Sequence, residues 1–345
     1  VLLSNCYPIA NAYTIPVVST RGHFEYPINS APTLVAGKTT ISYDISGVIP
    51  GLNNTQCPRE LVVFIHGWNN DIAAADSSFA EIDKVLHGLG YPYPVIGFSW
   101  DAQLATTLHF WQDGNTVATR NGPKLAEFLY DYKSSCHTTN IRLISHSLGA
   151  RVVLSTINTL PLIPGWKTNG FKVRSVHLLS AAVFNDEVGM TPIKHSHSGP
   201  SISSEVDKFQ NYFSTQDSVL KYLFRLASGG AALGLTGAGR SVSLPVNYFE
   251  LDVTPIMHAT HNAKITIDKL APLIKADWHA QDPLVVISDS MRGSDTDNSV
   301  KFVSLINENT AFGLQENRKI CYPEVQSNCS PTDNLLNITD SSQIN

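Results

Sequence analysis

The residues best placed to do chemistry lie at Ser145-His146-Ser147-Leu148-Gly149. The apolar run Ile141, Leu143, Ile144 reads as a strand that stops there. Val152, Val153, Leu154 and Ile157 then follow at helical spacing. A serine between small residues, on a tight strand-to-helix turn, has the G-x-S-x-G pattern of a nucleophile held above a sheet at the positive end of a helix. Ser147 is the expected nucleophile, with Ser145 in place of the usual first glycine. A serine hydroxyl needs a base, and the base needs an orienting carboxylate. With such an elbow the acid and then the histidine come from later strand ends. Asp217 follows a further strand expected at Phe209 to Ser214 and is the expected acid, although the position also suits a helix N-cap. Asp252, Asp186 and Glu187 are the alternatives. His261, just before a helix expected over 263–276, is the expected base, with His258 as the alternative. His279 falls after that helix, and His195 and His197 precede Asp217, so these three fit a base less well.

Acyl transfer also needs donors for the developing oxyanion. The backbone N–H of Leu148 is one. The turn after the buried strand Leu61 to Ile65 supplies the other, the N–H of Trp68, because Gly67 permits the turn. The Trp68 side chain would then wall an acyl pocket with Leu223, Leu226 and Leu233, whereas His66 reads as structural.

These stretches resemble the lipase and esterase branch of the α/β-hydrolase superfamily. The likeness is carried by Phe64-Ile65-His66-Gly67-Trp68, the serine turn, Tyr212 to Leu220 around Asp217, and Thr260-His261-Asn262. It covers about residues 60–275. The resemblance implies an α/β-hydrolase fold and carboxylic-ester hydrolysis through an acyl-serine, with no metal or other cofactor needed for the chemistry. An amidase or peptidase on the same triad, and a catalytically silent binding module, are the alternatives.

The elements that must position these residues read as strands alternating with helices, hence a mostly parallel sheet covered on both faces. Buried strands are expected at Leu61 to Ile65, Val95 to Trp100, Val173 to Val183 and Tyr248 to Val253. Amphipathic helices are expected after Asp71 and from about Thr116 to Ser134. Residues 13–58 carry two or three strands, antiparallel or at the sheet edge. We expect a hydrolase domain over residues 13–279, with cap or lid insertions near 185–205 and 227–245, the latter as a mobile stretch. A C-terminal extension over 280–345 contains two further strands.

The chain has 345 residues, 43% hydrophobic and 15% charged, with net charge −5 and no block of like charges. Nothing in that balance suggests nucleic acid or an anionic membrane as a partner. No apolar stretch is long enough to span a bilayer. The expected partner is a small-molecule, lipid or polymeric ester. Residues 1–12 read as a signal remnant ending at Ala10-Asn11-Ala12, or as a flexible arm. Of Cys6, Cys57, Cys136, Cys321 and Cys329, none lies in a C-x-x-C. Without Cys6 the other four suit two disulfides, for which Cys57–Cys136 and Cys321–Cys329 are one pairing. With sequons at Asn53, Asn328 and Asn337, this points to a secreted or extracytoplasmic protein. Asp289, Asp295, Asp297 and Asn298 could ligate calcium, but read better as a solvated loop.

Overall fold

The structure, a computed structural model, describes residues 15–27, 31–52, 56–102 and 108–279. The cysteines, aspartates and strands expected beyond residue 279, with Cys6, Asn53 and the two distal sequons, lie outside the described residues.

The strands are β1 Val17–Ser19, β2 Phe24–Glu25, β3 Thr33–Leu34, β4 Asp44–Ser46, β5 Glu60–Ile65, β6 Val95–Ser99, β7 Asn140–His146, β8 Val173–Leu179, β9 Val206–Phe213 and β10 Tyr248–Asp252. Eight of them form one sheet in the order β10-β9-β8-β7-β5-β6-β1-β4. Every pairing in it is parallel except β1 with β4 at the edge. β2 and β3 make a separate ribbon. The central strands read as continuous apolar runs because helices cover both faces.

The helices are α1 Ile72–Gly88, α2 Leu108–Ser135, α3 Gly149–Thr159, α4 Pro164–Thr168, α5 Gly199–Glu205, α6 Arg225–Ser228, α7 Leu233–Thr236, α8 Thr254–Met257 and α9 Ala263–His279. On one face α2 and α3 pack over Val63, Ile65, Leu143 and Val176. On the other, α1 and α9 pack over Val62, Phe64 and Ile144. α1 starts where the Asp71 carboxylate accepts the Ala74 N–H at 2.7 Å. It buries Phe79, Ile82 and Leu86 at helical spacing. Asn262 caps α9 in the same way, accepting from the N–H groups of Lys264 and Ile265.

Several boundaries differ from the sequence expectation, and α9 runs on to His279 rather than stopping near residue 276, so His279 ends that helix instead of following it. α2 begins at Leu108 rather than near Thr116. Gly114, Asn115, Gly122 and Pro123 lower its helix propensity, but the face bearing Val117, Leu125 and Phe128 is buried in the core, and packing outweighs propensity. β8 stops at Leu179 rather than Val183, because Ser180 adopts φ +49° and turns the chain. β9 starts at Val206 rather than Phe209. The 185–205 stretch holds turns and α5. In the 227–245 stretch, expected to be a mobile surface stretch or part of a lid, the Leu233 and Gly234 N–H groups donate to Val183 and Ala181, and Leu233 is buried.

The arm before β5 is fastened to the rest of the fold. Cys57 and Cys136 form a disulfide with Cα atoms 5.6 Å apart. The buried Lys124 amine donates to the carbonyls of Thr39 and Ser42. Among the described residues, no helix is long and apolar enough to cross a membrane. Nor is any group of three or more His, Cys, Asp or Glu placed to hold a metal ion.

Candidate active site

Strand register brings the serine turn and the Gly67 turn together. β5 and β7 are neighbours with Ile65 opposite Ser145, so the two turns leave the sheet side by side. A Cβ added to Gly67 would lie 2.9 Å from the Ser147 Cβ, and one added to Gly149 would lie 2.6 Å from the Ile65 carbonyl oxygen. Glycine is required at both positions for this approach. Ser147 has φ +54°, a left-handed conformation that costs a non-glycine residue roughly 1–3 kcal/mol. The turn is held there by the Ser147 N–H donating to Leu179 and the Ala182 N–H donating to the Ser147 carbonyl. Ser145 is fully buried, the space that its small side chain leaves for the turn.

Asp217 and His261 arrive from the ends of β9 and β10, which are paired with Phe213 opposite Asp252. Ser147 Oγ lies 2.8 Å from His261 Nε2, and His261 Nδ1 lies 2.7 Å from Asp217 Oδ2. Asp217 is fully buried, and its other oxygen accepts the Leu220 N–H at 3.0 Å. The acid and histidine loops are stitched together, because Ser214 Oγ donates to the His258 carbonyl and Ser218 Oγ to the Ala259 carbonyl.

The alternatives are engaged elsewhere. Asp252 accepts the Thr254 N–H, Asp186 pairs with His195 at 2.7 Å, and Glu187 takes both arms of the Arg151 guanidinium. The His258 side chain is exposed and His197 is half-buried. The side chain of His279 is outside the described ones.

Among the described residues, neither the Trp68 nor the Leu148 backbone N–H donates to a protein acceptor. The Gly67 carbonyl accepts from His66 Nδ1 at 2.9 Å and from Asn70 Nδ2 at 3.1 Å. The peptide is planar and trans, so fixing that oxygen fixes the Trp68 N–H in the opposite direction. His66 is suited to this brace. Burial, then the charge of Arg21, lowers its pKa to about 3, so it is neutral. Its Nε2 accepts from the Trp100 N–H at 3.1 Å, which leaves the proton on Nδ1. Arg21 supports the same turn from behind, donating to the Asn70 and Asp71 carbonyls at 3.0 and 3.2 Å. No motif points to Arg21, which lies in the arm, far from the residues it supports.

A cleft of about 800 Å³ opens on Ser147, His146 and His261. Trp68 and Leu223 line it, as expected, but the other two expected wall residues do not. Leu226 is 70% exposed, and Leu233 points into the core beside β9. Trp111, Phe224 and Ala227 complete that wall instead.

No curated protein matches the chain in sequence. Among solved structures it is similar to the catalytic core of acetyl xylan esterase from Trichoderma reesei, at 14% identity over 46% of this chain and 84% of that one, with TM-score 0.30. It is also similar to Aspergillus fumigatus lipase B, at 13% identity over 64% of this chain and 51% of that one, with TM-score 0.37. Thermogutta terrifontis esterase 2 matches at 11% identity over 65% of this chain and 84% of that one, with TM-score 0.34. Likeness at this level carries no conclusion about substrate or reaction. A family described as alpha/beta hydrolase of unknown function matches residues 52–237, more than half of the sequence. That span holds β5 with its glycine turn, the serine elbow and Asp217, on the parallel sheet those elements build, and the chain belongs to this alpha/beta hydrolase family, DUF900.

Proposed function

We infer that the protein is a serine carboxylic-ester hydrolase. The observation that carries the reading is the unbroken hydrogen-bonded line from Asp217 through His261 to Ser147, ending on a serine held at φ +54°. Ser147 Oγ attacks the ester carbonyl carbon while its proton passes to His261 Nε2. Asp217 accepts from Nδ1 throughout and stabilises the imidazolium. The carbonyl oxygen becomes an oxyanion facing the Trp68 and Leu148 N–H groups. Collapse breaks the bond to the alcohol oxygen, which takes the proton from His261. Water then attacks the acyl-serine by the same steps, releasing the acid and restoring Ser147.

The Cys57–Cys136 disulfide supports a working place outside the reducing cytoplasm. The test of function is hydrolysis of p-nitrophenyl esters from acetate to palmitate, with labelling by a fluorophosphonate probe. Ser147→Ala is expected to abolish both while the protein still folds. Turnover retained in that variant would remove Ser147 as the nucleophile.

A further inference from the structure

Behind the aromatic wall of the cleft lies a second, smaller cavity. The cleft at Ser147 measures about 800 Å³ and this one about 260 Å³. Trp111, Ala182, Phe224 and Ala227 line both, so they form the partition between the two spaces. The partition starts beside the nucleophile, because the Ala182 N–H donates to the Ser147 carbonyl. Two rings fill it. Trp111 and Phe224 meet edge to face with centroids 5.8 Å apart, the separation of aromatic rings in contact. Each is held by a further ring. Trp68 packs edge-on against Trp111 at 5.2 Å, and Phe184, which lines the second cavity, packs edge-on against Phe224 at 5.5 Å.

Beyond the rings the lining changes to Gln112, Asn115, Thr116, Arg151 and Ser228. The Arg151 guanidinium is already engaged: it donates to the Asn115 side-chain oxygen at 3.0 Å and to both oxygens of Glu187. The Thr116 and Ser228 hydroxyls donate to the carbonyls of Gln112 and Phe224. Bonds within the protein therefore occupy these groups, and what the second cavity offers a substrate is room rather than a charge to meet.

Proton transfer places the acyl group on this side of Ser147. On the ester-hydrolase reading, on which this inference rests, His261 must hand its proton to the leaving alcohol oxygen. The alcohol therefore departs beside His261 and Asn262, and the acyl group extends the other way, toward Ala182 and the two rings. We propose that Trp111, seated against Phe224, sets the maximum acyl length. The substrates are esters of linear carboxylic acids short enough to end at the rings, and the second cavity is closed to them in the native protein. An acyl tail that meets the rings has nowhere to go unless they part, and each is fixed by packing on a neighbouring ring.

The test is kcat/KM on p-nitrophenyl esters of the linear acids from acetate to dodecanoate, each below its solubility limit. In the native protein kcat/KM should rise by about fourfold per added methylene, the effect of moving that group out of water, up to a limiting length and fall beyond it. Trp111→Ala joins the two spaces, so the limit should move to longer acids. Thr116→Phe fills the second cavity. It should leave the native profile as it is, and cancel the gain when combined with Trp111→Ala. That double variant separates passage into the second cavity from the mere room left by the indole. Trp111→Leu, which keeps more of the packing, should give a smaller extension, and fluorophosphonate labelling reports a folded protein with a working serine in each case. A native profile without a limit, or a limit that neither Trp111 variant moves, overturns the proposal. So does a gain that survives Thr116→Phe, or a native profile that Thr116→Phe shortens. In all of these the ester-hydrolase reading stands. If no ester of the series is hydrolysed, both fall together.

Discussion

Asp217→Asn is the most informative single substitution, because the surrounding bonds dictate how the new amide must sit. One Asp217 oxygen accepts the Leu220 N–H at 3.0 Å and the other faces His261 Nδ1 at 2.7 Å. In the variant the amide oxygen has to take the Leu220 position, since an NH2 there would meet another donor. The NH2 group is then directed at His261 Nδ1, which must become an acceptor. Its proton moves to Nε2, the atom 2.8 Å from Ser147 Oγ, and the base can no longer receive the serine proton. The same tautomer change in a serine protease lowers kcat by about 10⁴-fold, or about 5.4 kcal/mol of barrier. The assay is kcat on a short-chain p-nitrophenyl ester, with thermal melts to show that the isosteric variant is folded. If Asp217→Asn keeps more than about a tenth of native kcat while Ser147→Ala is dead, Asp217 does not orient the base, and the hydrogen-bonded line has been misread.

Two further outcomes follow from the groups around the site. Arg21→Gln removes the guanidinium that braces the Asn70 and Asp71 carbonyls. It should lower kcat by about tenfold, less than deletion of an oxyanion donor itself, with KM little changed. A parallel fall in melting temperature with unaltered kcat would make Arg21 a purely structural residue. His66, with its pKa lowered to about 3, and His146 and His177, both held well below the ordinary value by burial, are neutral in the folded protein. The unfolded chain binds protons at these sites below about pH 6.5 and the folded chain does not, so stability is full above that pH and falls as pH drops. Each histidine contributes a slope of up to about 1.4 kcal/mol per pH unit. Urea unfolding at pH 7, 6 and 5 measures it, and a flat profile would mean that these rings accept protons without unfolding.

The turn at Ser147 and the strand ends that carry Asp217 and His261 were legible because each belongs to a local pattern: a serine turn with a glycine after it, an aspartate after a strand, a histidine before a helix. Gly67 and Gly149 were legible for the same reason, since each permits a close backbone approach within a few residues of a motif. The braces were not legible. Arg21 meets the turn at Asn70 and Asp71 only because β1 pairs with β6 and ends beside Ser99. Its role depends on a strand pairing far apart in sequence. Nor did periodicity separate Leu223, Leu226 and Leu233, three leucines of one region. Which of them lines the cleft depends on how the π-helical turn Val219–Phe224, α6 and α7 rotate against the sheet.

The amino-acid order alone determined the sheet class and the strand-to-helix turn at Ser147, because strands, turns and caps answer to near neighbours in the chain. Tertiary structure decided which aspartate and which histidine meet Ser147. Asp186, Glu187 and Asp252 are consumed by His195, Arg151 and the Thr254 N–H, and Asp217 alone of the four carboxylates meets His261. It also decided that His146 is buried beside Ser147, with its ring against that of His261. Hydrogen bonding is short-ranged and each acceptor is shared out only once the strands have paired, so that allocation is a property of the packed fold.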